Sequence, residues 1–181
     1  MQILQGHESG TYSTLFPWKA DNKQMITIIK NYSLNDLKLG VNKQLENAAH
    51  SEEVRHFAID ITGDPNKDPI LAIYQWVKNN LRYVPDPVDI ELFTSPVRLV
   101  KSFHMNESIA EDCDGHAIFT TALYRSIGIP AHVVFVNSNG GDIDHAITTV
   151  WSEKLSRWID VDTTAQFPMG WEFKYSTRIT I

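Results

Sequence analysis

The segment IAEDCDGHAIFTTALYRSIGIPAHVVFV, residues 109–136, decides how the whole chain is read. Ala117, Phe119, Ala122, Leu123 and Ile127 supply an apolar stripe at helical spacing. Gly128 supplies a C-terminal cap, and Pro130 prevents continuation. The pattern predicts a helix that begins at Cys113, the only cysteine in the chain. AHVVFV (131–136) then reads as a strand and NSNGGD (137–142) as a hairpin turn. HAITTVW (145–151) is a second strand, SEKLS (152–156) a second turn, and RWIDVDT (157–163) a third strand. A helix followed by an antiparallel meander is an α+β arrangement.

Upstream, GDPNKDP (63–69) is a loop ending in a helix start, with Asp68 as the cap and Pro69 in the first turn. In the helix that follows, Ile70, Ile73, Tyr74, Val77 and Leu81 share one face. QMITIIKNYS (24–33) carries the β-branched residues of a strand. Residues 34–62 read as helical, with breaks near Gly40 and at His50–Ser51; Val54, Phe57, Ala58 and Ile61 form the second apolar stripe. From Arg82 to Glu111, Pro85, Pro87 and Pro96 forbid a continuous helix, leaving a loop of about thirty residues with one short turn at 97–103. Loops of that length in compact domains are usually functional or disordered, and the apolar residues Ile90, Leu92, Phe93, Val97 and Leu99 favour an ordered surface loop here. Residues 1–24 are polar, turn-rich and unassigned.

The 181 residues are expected to form one domain, in which residues 1–50 are an N-terminal extension and residues 70–165 the core. Five Trp, six Tyr and eight Phe furnish that core. A net charge of −6 argues against binding nucleic acid by bulk electrostatics. No apolar run approaches the roughly 20 residues that span a bilayer, so no membrane association is expected. The start, MQILQGHESGTYS, has no basic region followed by an apolar stretch. One cysteine excludes an internal disulfide and suits a reducing, cytoplasmic setting. Nothing in the sequence bears on oligomeric state.

A thiol is a nucleophile as its thiolate, which a helix N-terminus stabilises through aligned N–H groups. It also needs a base, itself oriented by a third group. His145 opens the second strand, and Asp160 and Asp162 lie on the third; alternation puts both aspartates on one face, where either can meet the far nitrogen of His145. Asp112 and Asp114, flanking Cys113, oppose its ionisation unless they cap the helix or face solvent. By itself Cys113 reads as a small buried residue and His145 as a hydrogen-bonded strand histidine. Their joint order along the chain turns the reading toward chemistry. A zinc pair of Cys113 with His116 lacks the second pair that structural zinc requires, which leaves His116 on the helix surface or behind the site.

The runs DCDGHA, GIPAHVV, DHAITTVW and RWIDVDTT resemble the core of the transglutaminase-like superfamily, whose fold is related to that of papain. The resemblance covers residues 70–165. It implies a papain-like α+β fold, with the nucleophile at a helix N-terminus packed on an antiparallel sheet. It further implies Cys113 as nucleophile, His145 as base, and Asp162, four residues after Trp158, as the acid, with Asp160 in reserve. The activity implied is thiol-dependent amide hydrolysis of a protein or peptide, that of a cysteine protease. Glutamine acyl transfer and a non-catalytic phage assembly module are the alternatives, YVPDP (83–87) being similar to phage members. The oxyanion would be held by the N–H of Cys113 and the side chain of Asn106. Trp151 would flank the substrate channel, although Trp151 and Trp158 also suit a cross-strand aromatic pair; by position in the chain, Tyr83 and the loop 84–108 would form one wall of the cleft. The expectation is no cofactor or metal. D-C-D is, however, similar to calcium-dependent members, which would enlist Asp112 and Asp114 with Asp142 or Asp144.

Overall fold

The computed structural model describes residues 26–30, 33–88, 90–137, 142–172 and 174–181. The N-terminal stretch 1–24 and most of the turn 137–142 lie outside these residues. Strand β1 (Ile26–Lys30) leads to helix α1 (Leu34–Ala49), which starts on a reciprocal pair between Ser33 and Asp36. Helix α2 (Glu52–Ile61) is capped by Ser51, and α3 (Pro69–Asn80) by Asp68, whose Oδ1 accepts from Ile70 N at 2.8 Å. The break at His50–Ser51 falls where expected.

The break at Gly40 does not occur: α1 runs through it. A glycine inside a helix costs about 1 kcal/mol of propensity. Here the ring of Phe93 lies against the bare Cα, and a Cβ would meet its Cδ2 at 2.8 Å. Close packing, not a helix end, explains this glycine.

The thirty-residue stretch is largely ordered, as its apolar residues suggest, but it holds more regular structure than a loop with one turn at 97–103. Strand β2 (Arg82–Tyr83), strand β3 (Ile90–Thr94), helix α4 (Pro96–His104) and strand β4 (Ala110–Glu111) occupy it. β3 pairs antiparallel with β1, and β2 parallel with β4. As expected, no continuous helix crosses the three prolines, and the turn at 97–103 is helix α4, which Pro96 opens. Pro96 sits in the first turn, where a missing N–H costs nothing, and Ser95 caps the end.

Helix α5 (Cys113–Ser126) is the centre of the molecule, packed against β6 and against α1, α2 and α3. Nearly every residue from Asp114 to Tyr124 is buried, so its polar groups need partners. Thr120 donates to the carbonyl of His116 at 2.7 Å, and Tyr124 donates to that of Ile70 at 2.8 Å. Phe119, Leu123 and Tyr124 are fully enclosed; burying each such side chain contributes roughly 1.5–3 kcal/mol. Gly128 follows with φ +84°, the left-handed conformation that ends the helix.

Strands β5 (Ala131–Val136), β6 (His145–Ser152), β7 (Arg157–Val161) and β8 (Arg178–Thr180) form an antiparallel sheet in the order β7-β6-β5-β8. The meander matches expectation except that β7 ends two residues early, at Val161, and β8 adds an edge strand against β5. Val136 pairs with His145, which fixes that histidine at the mouth of the β5–β6 hairpin. The molecule is thus an α+β core in which the start of α5 meets the His145 end of the sheet.

Candidate active site

Cys113 is the first residue of α5 and partly exposed. Asp112 caps the helix, its Oδ1 accepting from Asp114 N at 3.2 Å and Gly115 N at 3.3 Å. Gly115 is required here because the buried Glu111 side chain lies against its Cα: a Cβ would meet that of Glu111 at 2.7 Å. Of the two aspartates beside the sulfur, Asp112 caps the helix as expected, but Asp114 does not face solvent. It is only 4% exposed.

His145 stands between Cys113 and Asp162. Its Nε2 lies 2.8 Å from Asp162 Oδ2, and it is hydrogen-bonded to the Cys113 side chain as well. Because Nε2 faces the carboxylate, Nδ1 is the nitrogen left for the sulfur. Burial alone would lower the pKa of this imidazole; the hydrogen bonds and charges of Asp162 and Cys113 outweigh it and raise the value from 6.5 to about 10. Asp162 is held down to about 2, since the donors around it overcome the effect of its burial. Its Oδ1 accepts from Thr164 Oγ1 at 2.7 Å, Thr164 N at 2.9 Å and Ala165 N at 3.0 Å. The carboxylate is therefore fixed before any substrate arrives.

Asp160 goes elsewhere. Arg178 of β8 grips both its oxygens, at 2.7 and 2.6 Å. Alternation along β7 would keep the two aspartates on one face, but the strand stops at Val161 and Asp162 turns toward His145. His116 is buried rather than on the helix surface. Its Nδ1 is 2.9 Å from Thr163 Oγ1, bracing the residue next to Asp162. Burial lowers its pKa to about 4, which keeps the ring neutral.

Tyr83 lines the cleft beside Cys113 and is half-exposed. Trp151 and Asn106 are not brought there. Trp151 lies six residues along β6 from His145, roughly 20 Å at strand rise, and packs edge-on against Trp158 with ring centres 5.8 Å apart. Asn106 sits in the exposed turn after α4 with φ +54°.

The cleft, of about 340 Å³, has the wall expected from Tyr83 and the loop after it, and what the sequence did not announce is the acidic character of that wall. One oxygen each from Asp86, Glu91 and Asp112 gather within 4.8 Å of one another. Asp114 stands behind them, in contact with Asp112 and Glu91, and its Oδ1 has no hydrogen-bond partner. Burial first, then Asp112 and Glu91, raise its pKa well above the carboxylate range. Burial and the charge of Asp112 push Asp86 up to about 7, although Leu92 N donates to it. Glu91 arrives on β3, and Asp86 on the segment before it. No periodic signal in the sequence could have placed either beside Cys113.

The calcium set suggested by D-C-D does not assemble. Asp142 and Asp144 are exposed and outside the three-oxygen cluster, and Asp112 already uses one oxygen as a helix cap.

The transglutaminase-like superfamily model matches residues 55–163. Similar solved structures include a candidate cysteine protease from Cytophaga hutchinsonii, 21% identical over 77% of this chain and 49% of that one, with a TM-score of 0.49. The periplasmic domain of TgpA from Pseudomonas aeruginosa is 18% identical over 68% of this chain and 47% of its own, with a TM-score of 0.44. The chain spans about half the length of these two relatives. Among curated proteins none matches the sequence.

Proposed function

Because the chain belongs to the transglutaminase-like superfamily, we propose that it is a thiol-dependent amide hydrolase, a cysteine protease of proteins or peptides. One observation carries the reading: His145 is hydrogen-bonded to Cys113 on one side and to a clamped Asp162 on the other. With His145 titrating near 10, the imidazolium is the resting form at neutral pH, and a cation beside a sulfur favours its thiolate.

The reaction follows from those positions. The Cys113 sulfur adds to the amide carbonyl carbon. The oxyanion so formed meets the N–H of Cys113, one of the first-turn groups that lack an intrahelical acceptor. His145 gives its proton to the leaving nitrogen, the C–N bond breaks, and a thioester remains. Water then attacks the thioester; His145 accepts its proton, and the acid departs as the thiolate–imidazolium pair is restored. Asp162 keeps the ring oriented throughout and stabilises its charged form.

Mass spectrometry of peptide products tests the proposal. Hydrolysis that vanishes in Cys113→Ala and yields a free acid is expected. Amide products formed only with an added primary amine would instead assign acyl transfer, and no turnover of any amide would remove the enzyme reading.

A further inference from the structure

We propose that the wall formed by Asp86, Glu91 and Asp112, with Asp114 behind it, binds a cationic lysine or arginine side chain of the peptide whose amide Cys113 attacks. This rests on the amide-hydrolase reading and adds the class of substrate.

Three observations lead there. The three wall oxygens lie within 4.8 Å of one another, close enough for one ammonium or guanidinium to donate to all of them. Behind them, Asp114 is 4% exposed, lines the same cleft, and leaves Oδ1 without a partner. A buried acceptor without a partner is an unmet demand beside the cleft, and a donor held at the wall reduces it. Finally, no lysine or arginine is among the described residues that line the cleft. Elsewhere in the described chain some acids do have a cation: Asp160 has Arg178, Glu107 has Arg98 and Glu172 has Arg157.

The position also suits a substrate. Asp112 and Asp114 flank Cys113 in the chain, so a cation held at the wall lies next to the attacked carbonyl. The wall opens into the cleft, which suits a charge that comes and goes with a substrate.

The test compares two methanethiosulfonate reagents, one ending in an ammonium and one in a sulfonate, for their rates with Cys113 in the full chain. Each rate is normalised to that on a small free thiol. The cationic reagent is expected to gain about tenfold, less at high salt. Asp86→Asn and Glu91→Gln should each erode the gain. A normalised ratio of one overturns the proposal. So does a preference that emerges only after a chelator is added, because a divalent cation would then hold the wall. Should those variants fold poorly, binding of lysine-, alanine- and glutamate-bearing peptides to Cys113→Ala gives the same decision. Equal hydrolysis of all three peptides by the unaltered chain overturns the wall and leaves the reaction. A charge preference with no hydrolysis supports the wall and removes the reaction.

Discussion

On one side of the cleft His145 and Asp162 satisfy each other, while on the other Asp86, Glu91, Asp112 and Asp114 crowd together, with no lysine or arginine among the described residues that line the cleft. The first side is finished: Asp162 receives three donors from residues 164 and 165 besides the imidazole. The second is left unfinished, with an orphaned oxygen on a buried carboxyl group. The difference separates two tasks. A group that must keep one orientation is over-determined by its neighbours, whereas a surface that receives a partner keeps its demand open.

The comparison breaks most visibly at the finished side. Cys113→Ala and His145→Ala are expected to lower amide hydrolysis by about a thousandfold or more, measured as kcat/KM. Asp162→Asn should cost about a hundredfold, chiefly in kcat, because the ring loses the group that orients and charges it.

A smaller effect of opposite sign is expected at the unfinished side. Asp114→Asn should raise Tm at pH 8, corresponding to about 1 kcal/mol or more, because an amide of the same shape does not have to be kept from ionising. A lower Tm would mean that the carboxyl group already has a partner.

The pH dependence of stability sharpens the contrast. The folded pKa of His145 is raised from 6.5 to about 10, so its contribution is complete below pH 6.5 and is lost as pH climbs toward 10. Asp86 and Glu111, both raised to about 7, lose stability over lower pH, between their ordinary values and 7. His116, lowered to about 4, acts in the other direction below 6.5. Between pH 7 and 9 His145 therefore dominates among these groups, and Tm should decline there. In His145→Gln the decline should flatten; an equal slope would show that the ion pair is not formed.

The smallest expected effect lies behind the finished side. His116→Ala should lower kcat severalfold with little change in KM, and His116→Gln should restore most of it by keeping a polar partner for Thr163.

What the sequence could reveal follows the range of the interactions concerned. Helix α5, the meander and the caps at Asp68 and Asp112 depend on neighbours a few residues apart, and their patterns stand in the sequence. The order of Cys113, His145 and Asp162 could be read for the same reason, since each opens or follows an element with a local signal. Gly40 does not end its helix because a glycine has two uses, as a stop and as a place for close packing. Only Phe93, more than fifty residues away, tells that Gly40 serves packing. The choice between Asp160 and Asp162 waited on Arg178, in a strand with no local signature. The acidic wall was hidden most deeply, because β3 carries Glu91 into place only by pairing with β1.

The most direct test is the rate at which a neutral alkylating agent labels Cys113 at pH 6.5, in the unaltered chain and in His145→Ala. If the sulfur is activated by the imidazolium beside it, the unaltered chain labels at least about tenfold faster than the variant. Equal rates would contradict the account at its root.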